Sequence, residues 1–223
     1  MNKAVAVFVL FLAVLSTAVG CSSGADKIDM QIGVDALAAL ADSHISSYVS
    51  SFESLRLTDE VQSGDWEAME PLLAKVAHPE SAAAVWFVLP DGSYSTVSGG
   101  AQTANLSDRD YFPKLLAGQT VLGDLVVSKS TGRKSAVVAV PVMQGQQVIG
   151  ALGASVFLDD LSDTLRGEMG LPNDVVFAAV ASDGEIALHS DTAMIMADDP
   201  GLPTNVKSKT SSLTGWVFSL GTK

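Results

Sequence analysis

The residues able to do chemistry in this chain are few and poorly placed for catalysis. Histidine occurs at His44, His78 and His189, and no two of them stand at a metal-ligand spacing such as HxxxH. His189-Ser190-Asp191 contains the residue types of a hydrolytic triad. Adjacent positions on a strand point to opposite faces, however, so adjacency does not assemble one. No GxSxG, phosphate-loop or dinucleotide run occurs. Asp159-Asp160 reads as a helix cap and Asp198-Asp199 as a solvated loop, not as paired catalytic carboxylates. These residues point away from an enzyme, and neither a metal nor a cofactor is expected.

The one cysteine, Cys21, carries a different kind of chemistry. It follows a lysine near the N-terminus, then an apolar stretch of Ala, Val, Leu and Phe, then small residues. That is the order of a secretory signal. Ala18-Val19-Gly20-Cys21 resembles the lipobox of bacterial lipoproteins, with Ala18 where leucine is usual. The resemblance implies removal of residues 1–20, lipidation of Cys21 (palmitate among the chains added) and a membrane-anchored, extracytoplasmic protein on the periplasmic or cell-surface side. The stretch from Ala4 to Gly20 is shorter than the ~20 residues that span a bilayer, which disfavours an uncleaved anchor. Residues 21–27, polar after the cysteine, read as a tether. With Cys21 lipidated, no thiol remains for a disulfide or a cysteine nucleophile.

A formal charge of −12 excludes nucleic acid as a partner, because phosphate binding needs clustered Lys and Arg. It equally disfavours docking on anionic lipid. At 48% hydrophobic residues the chain is globular, and its length suits one good-sized domain or two small ones.

The elements follow from periodicity. Over 28–57 the apolar residues Val34, Leu37, Ala41, Ile45, Tyr48, Phe52 and Leu55 recur at steps of three and four, one face of a long helix. That face either packs on its own domain or pairs with a second copy in a homodimer. Trp66 to Val76 reads as a shorter helix with Asp65 as N-cap. Ala82 to Leu89 and Tyr94 to Val97 flank the turn Pro90-Asp91-Gly92 and form a hairpin. A loop is expected from Gly99 to Asn105, then a short helix opened by Leu106-Ser107-Asp108 that runs through Leu116 and stops at Gly118. Val121 to Ser128, Lys134 to Met143 and Gln147 to Phe157 are strands, and their tight turns make the sheet antiparallel. Asp159 to Met169 is a helix. A second hairpin spans Val175 to Val180 and Glu185 to His189. Loop is expected from Asp191 to Lys209, with Trp216 to Phe218 as a last strand.

Asn105-Leu106-Ser107-Asp108-Arg109-Asp110-Tyr111-Phe112, followed by Gly118, resembles the central signature of Cache domains, the extracytoplasmic sensor modules of chemoreceptors and sensor kinases. Ser128-Lys129-Ser130-Thr131-Gly132-Arg133, Val140-Pro141-Val142 and Ile149-Gly150-Ala151-Leu152-Gly153 extend the resemblance in order. It implies an α+β fold in which a long N-terminal helix precedes a PAS-like antiparallel sheet. Residues 28–170 would form the ligand-binding module and 171–223 a reduced second module. A small molecule would sit between sheet and loops, lined by Arg109 and Tyr111, with Trp86, Tyr94, Ser128 and Lys129 as further candidates. A guanidinium suits a carboxylate. Arg109 could instead pair with Asp108, Asp110 or Asp124, while Tyr111, Phe112 and Trp86 could simply be core. Amino-acid-binding members usually carry an aspartate where Ser155 stands; without that counter-charge a small carboxylate or other anion is favoured over an α-amino acid. The chain has no second apolar span, so a signalling role needs a separate partner protein. The alternative is an interaction module without a ligand that regulates a membrane sensor through its long helix.

Overall fold

In the computed structural model, residues 29–77, 82–197, 201–202 and 205–223 are described. The expectations placed on residues 1–20, on Cys21 and the tether, on His78, Asp198 and Asp199 lie outside them.

The first helix, α1 (Met30–Leu55), starts where Asp29 accepts hydrogen bonds from the Gln31 and Ile32 amides at 2.9 and 3.2 Å. Its apolar stripe resolves the two alternatives left open above. Val34, Leu37, Ala41, Ile45 and Phe52 are fully buried within the chain's own core. A second copy would therefore meet the opposite face, where Ser46, Ser47, Ser50, Ser51 and Ser54 bond back to carbonyls three or four residues earlier. A single turn, α2 (Asp59–Gln62), capped by Thr58, precedes α3 (Trp66–Val76), where Asp65 caps the Glu67 amide at 3.1 Å.

Strands β1 (Ala83–Val88), β2 (Ser93–Thr96), β3 (Gly100–Asn105), β4 (Val121–Val127), β5 (Lys134–Gln144) and β6 (Gln147–Phe157) form one sheet in the order β3-β2-β1-β6-β5-β4. Every neighbouring pair is antiparallel. Helix α4 (Phe112–Leu116) lies between β3 and β4 in the chain, and α5 (Leu158–Glu168) follows β6. A second antiparallel sheet contains β7 (Val175–Val180), β8 (Ile186–His189), β9 (Val206–Thr210) and β10 (Val217–Thr222) in the order β8-β7-β10-β9.

Several boundaries differ from expectation for identifiable reasons. The run 100–105 is strand β3, not loop; it has almost no apolar side chain and is held at the sheet edge by backbone pairing with β2. The same applies to β9, a polar edge strand inside the expected 191–209 loop, where a 3-10 turn at Thr192–Met194 also forms. Leu106 to Asp110 stay in turns, so α4 is shorter than expected. Asp159 and Asp160 do not cap α5: Phe157 stands at the cap position, and both carboxylates hold Arg133 at 2.6 and 2.8 Å.

The pleat of the large sheet separates two cores. Val85, Phe87, Val138, Val140, Leu152 and Ala154 face α1, α5 and the second sheet in one continuous apolar body. Trp86, Val88, Val137, Ala139 and Ala151 face the opposite way, against Tyr94, Leu106, Tyr111, Phe112 and Leu115. Phe52 lies in the first of these cores with no exposed surface. Phe52→Ala is expected to lower the unfolding free energy by about 3–5 kcal/mol, read from urea denaturation followed by circular dichroism.

Candidate functional site

The face of the large sheet turned away from α1 is covered by the segment 105–117 and by the turn 128–133. Trp86 lies on the sheet. Its partner across the strands is Gly153, and a Cβ at Gly153 would clash with three atoms of the six-membered ring of the indole. Glycine is thus what allows the ring to lie directly against β6. Two residues further along the same strand, Ser155 Oγ accepts the indole N–H at 3.1 Å. Trp86 is 2% and Ser155 6% exposed, so the ring is fixed at both its edge and its face.

Around this floor the structure gathers every expected ligand-binding residue. Trp86, Tyr94, Arg109, Tyr111, Ser128, Lys129 and Ser155 line one cavity together with Leu106, Val126 and Ser130. Ser130 could have been found in the sequence, because it stands two positions from Ser128 in one turn and the two hydroxyls meet at 3.3 Å. Leu106 and Val126 carried no such signal, being apolar residues among many. The cavity encloses only about 10 Å3, on the order of one water molecule.

The charged residues behave differently from one another. Lys129 donates to both Asp108 carboxylate oxygens, at 2.6 and 2.7 Å, and to the Asn105 carbonyl at 2.7 Å. Its charge thereby ties the turn to the 105–117 cover, and its hydrogen bond holds the Asp108 carboxyl below the usual range. Lys114 takes Asp124 at 2.7 Å. The ion pairs open to Arg109 are therefore not the ones formed, since Asp108 and Asp124 serve lysines. Arg109 Nη2 donates instead to the Val127 backbone carbonyl at 2.6 Å. Among the described residues Arg109 thus makes no direct salt bridge, although the Asp108 carboxylate lies within reach of its charge, and a carbonyl acceptor leaves part of its donor fork available to a ligand.

Both tyrosines remain neutral hydroxyl donors. Burial pushes the Tyr94 phenol up, with Ser130 and the Arg109 charge opposing. Burial pushes Tyr111 up further, again against Arg109. Tyr111 and Trp86 are core residues and cavity lining at once, while Phe112 packs in the same core behind them. The Tyr94 hydroxyl is buried and forms no hydrogen bond of good geometry, with the Ser130 hydroxyl its nearest polar neighbour in influence. No carboxylate lines this cavity. The cationic donors suit an anion, while an ammonium group would find hydroxyl oxygens and aromatic faces but no carboxylate counter-charge.

A larger neighbouring cleft of about 500 Å3 is lined by Asp108, Asp110, Asp124 and Asp183 with Arg109 and Lys114. His44 pairs with Glu168 at 3.2 Å, and His189 Nδ1 accepts the Asp191 amide at 2.8 Å, a local turn and not a triad. Among the described residues no group of three or more His, Cys, Asp or Glu could hold a metal ion.

An antiparallel six-stranded sheet with a long N-terminal helix on one face and a short helix and loops on the other is a PAS-like architecture. More narrowly, it is the Cache fold. The chain superposes on the ligand-binding domain of the Pseudomonas aeruginosa PAO1 amino acid chemoreceptor PctB in complex with L-Gln, with a TM-score of 0.68, 16% identity, and 86% of this chain and 89% of that one covered. For the domain of PctC from the same organism, in complex with GABA, the TM-score is 0.63 and the identity 18%, over 85% of this chain and 97% of that one. The sensor domain of the Vibrio cholerae histidine kinase DctB gives a TM-score of 0.60 at 12% identity, with 86% and 95% covered. No protein-family model matches the sequence, and no curated protein matches it.

The fixed floor yields a direct expectation. Gly153→Ala forces the indole off β6, and overpacking of this kind costs about 1–3 kcal/mol. Thermal denaturation should show a lowered Tm, and near-ultraviolet circular dichroism should show the altered tryptophan environment.

Proposed function

We propose that this chain is an extracytoplasmic ligand-binding sensor or binding lipoprotein that takes a small carboxylate or related anion and catalyses no reaction. The observation that carries the reading is Arg109, whose guanidinium lines the cavity beside the buried Tyr94 residue and is held there by a backbone carbonyl. A carboxylate answers both, accepting from the phenol and from the guanidinium fork. The ligands of the two similar chemoreceptor domains, L-Gln and GABA, each carry a carboxylate. They carry an ammonium as well, for which this cavity offers no counter-charge.

The proposal includes the organisation of the chain: residues 1–20 as a signal peptide, 21–27 as a tether, 28–170 as the binding module and 171–223 as a reduced second module. No helix among the described residues is long and apolar enough to cross a membrane. The lipid on Cys21 would supply the anchor, and a separate signalling protein would receive the output. One observation favours the second reading, an interaction module without ligand: the cavity is close to filled, at about 10 Å3. Burial of the α1 stripe weighs against that module's working through the helix's apolar face.

A thermal-shift screen of small carboxylates, amino acids, amines and purines separates the two. A ligand at a hundred times its Kd should add about 2.7 kcal/mol, a rise of roughly 5–10 °C for a domain of this size. Arg109→Ala and Tyr94→Phe should each remove the shift while the protein still unfolds cooperatively. A flat screen on folded protein favours the interaction module.

The anchor is tested separately. Cys21→Ala is expected to move the protein from the membrane fraction to the soluble one on cell fractionation. Retention in the membrane after that substitution overturns lipidation.

A further inference from the structure

The cavity has one wall that cannot move and one that can, and this difference bears on the shape of what it binds. The immovable wall is Trp86. Beneath the indole is the β6 backbone at Gly153, with no side chain left to remove, so the ring cannot sink further into the sheet. Lifting it would break the bond from its N–H to Ser155 and strand a buried donor. The roof is held differently. Leu106, Tyr111, Phe112 and Leu115 anchor it in the second core, but its turn over the cavity is tied by polar bonds: Arg109 reaches the Val127 carbonyl, Lys129 reaches Asp108, and the Asp108 side chain is 67% exposed. Polar ties at the surface are weak and open readily compared with a packed core.

From this we infer that Trp86 is the specificity-determining residue of the pocket and that it selects flat ligands: an aromatic or unsaturated carboxylate lying against the indole face. The inference rests on the carboxylate reading above and adds the shape of the ligand to it. Room for a ligand comes from raising the roof, so a thin molecule needs the smallest displacement of the 105–117 cover. A planar body covers the indole face fully, and Tyr94 and Tyr111 flank the same space with further aromatic surface. The carboxylate then lies at the rim, where the Tyr94 hydroxyl and Arg109 meet the cavity. A puckered or branched body of equal carbon number forces the roof higher and touches the indole over less area.

The test compares benzoate with cyclohexanecarboxylate, which share a carbon count and a charge but differ in thickness. Titration calorimetry on the full chain in detergent should show benzoate binding about tenfold more tightly, the scale of one aromatic contact. Trp86→Ala should abolish that preference, and Trp86→Phe, which keeps a flat floor, should retain it. Trp86→Leu serves in place of the alanine variant if far-ultraviolet circular dichroism shows the latter unfolded. Equal affinities in the wild type, or an unchanged preference in the alanine or leucine variant, overturn the inference and leave carboxylate binding standing. Failure of folded wild type to bind any carboxylate overturns both.

Discussion

Val85, Phe87 and Leu152 leave the large sheet on one side, while Trp86, Val88 and Ala151 leave it on the other. A sheet that is apolar on both faces must be covered on both, and that requirement places the remaining elements. The first face is closed by α1, α5 and the second sheet, which supply a deep and continuous apolar layer. The second face is closed by far less material: a five-residue helix, the turns before it and the 128–133 turn. The thinner cover leaves donors and a small void above Trp86.

The same inequality sorts the side chains by role. On the α1 side the buried groups are almost all hydrocarbon, and their stability follows from area and close packing. On the site side, burial comes with hydroxyls, an indole N–H and two cations. Several of these groups are answered locally: Ser155 for Trp86, Asp108 for Lys129, Val127 for Arg109, Ser130 for Ser128. Among the described residues the Tyr94 hydroxyl here and Arg56 Nε elsewhere are the buried polar atoms left without a hydrogen bond of good geometry.

Much of this was legible in the sequence. The three-and-four spacing of α1, the turn residues at Asp91-Gly92 and Gly184, and the unbroken apolar runs of β5 and β6 each express a local rule directly. The seven candidate ligand residues came together because the motif resemblance fixed their order along a known sheet. What remained hidden has a common cause. Strands β3 and β9 are polar and exist through backbone pairing with a neighbour, which no side-chain pattern encodes. Arg133 took Asp159 and Asp160 away from helix capping across 26 positions of chain, a contact only the fold can create. The near-closure of the cavity depends on the indole's seat over Gly153, and neither residue reveals that alone.

Helix α1 lies against β5 and β6 of the large sheet and against β9 and β10 of the small one. It contributes to a core that both sheets share. The two sheets therefore share one apolar layer along α1, and parting either sheet from the helix would expose hydrocarbon belonging to both.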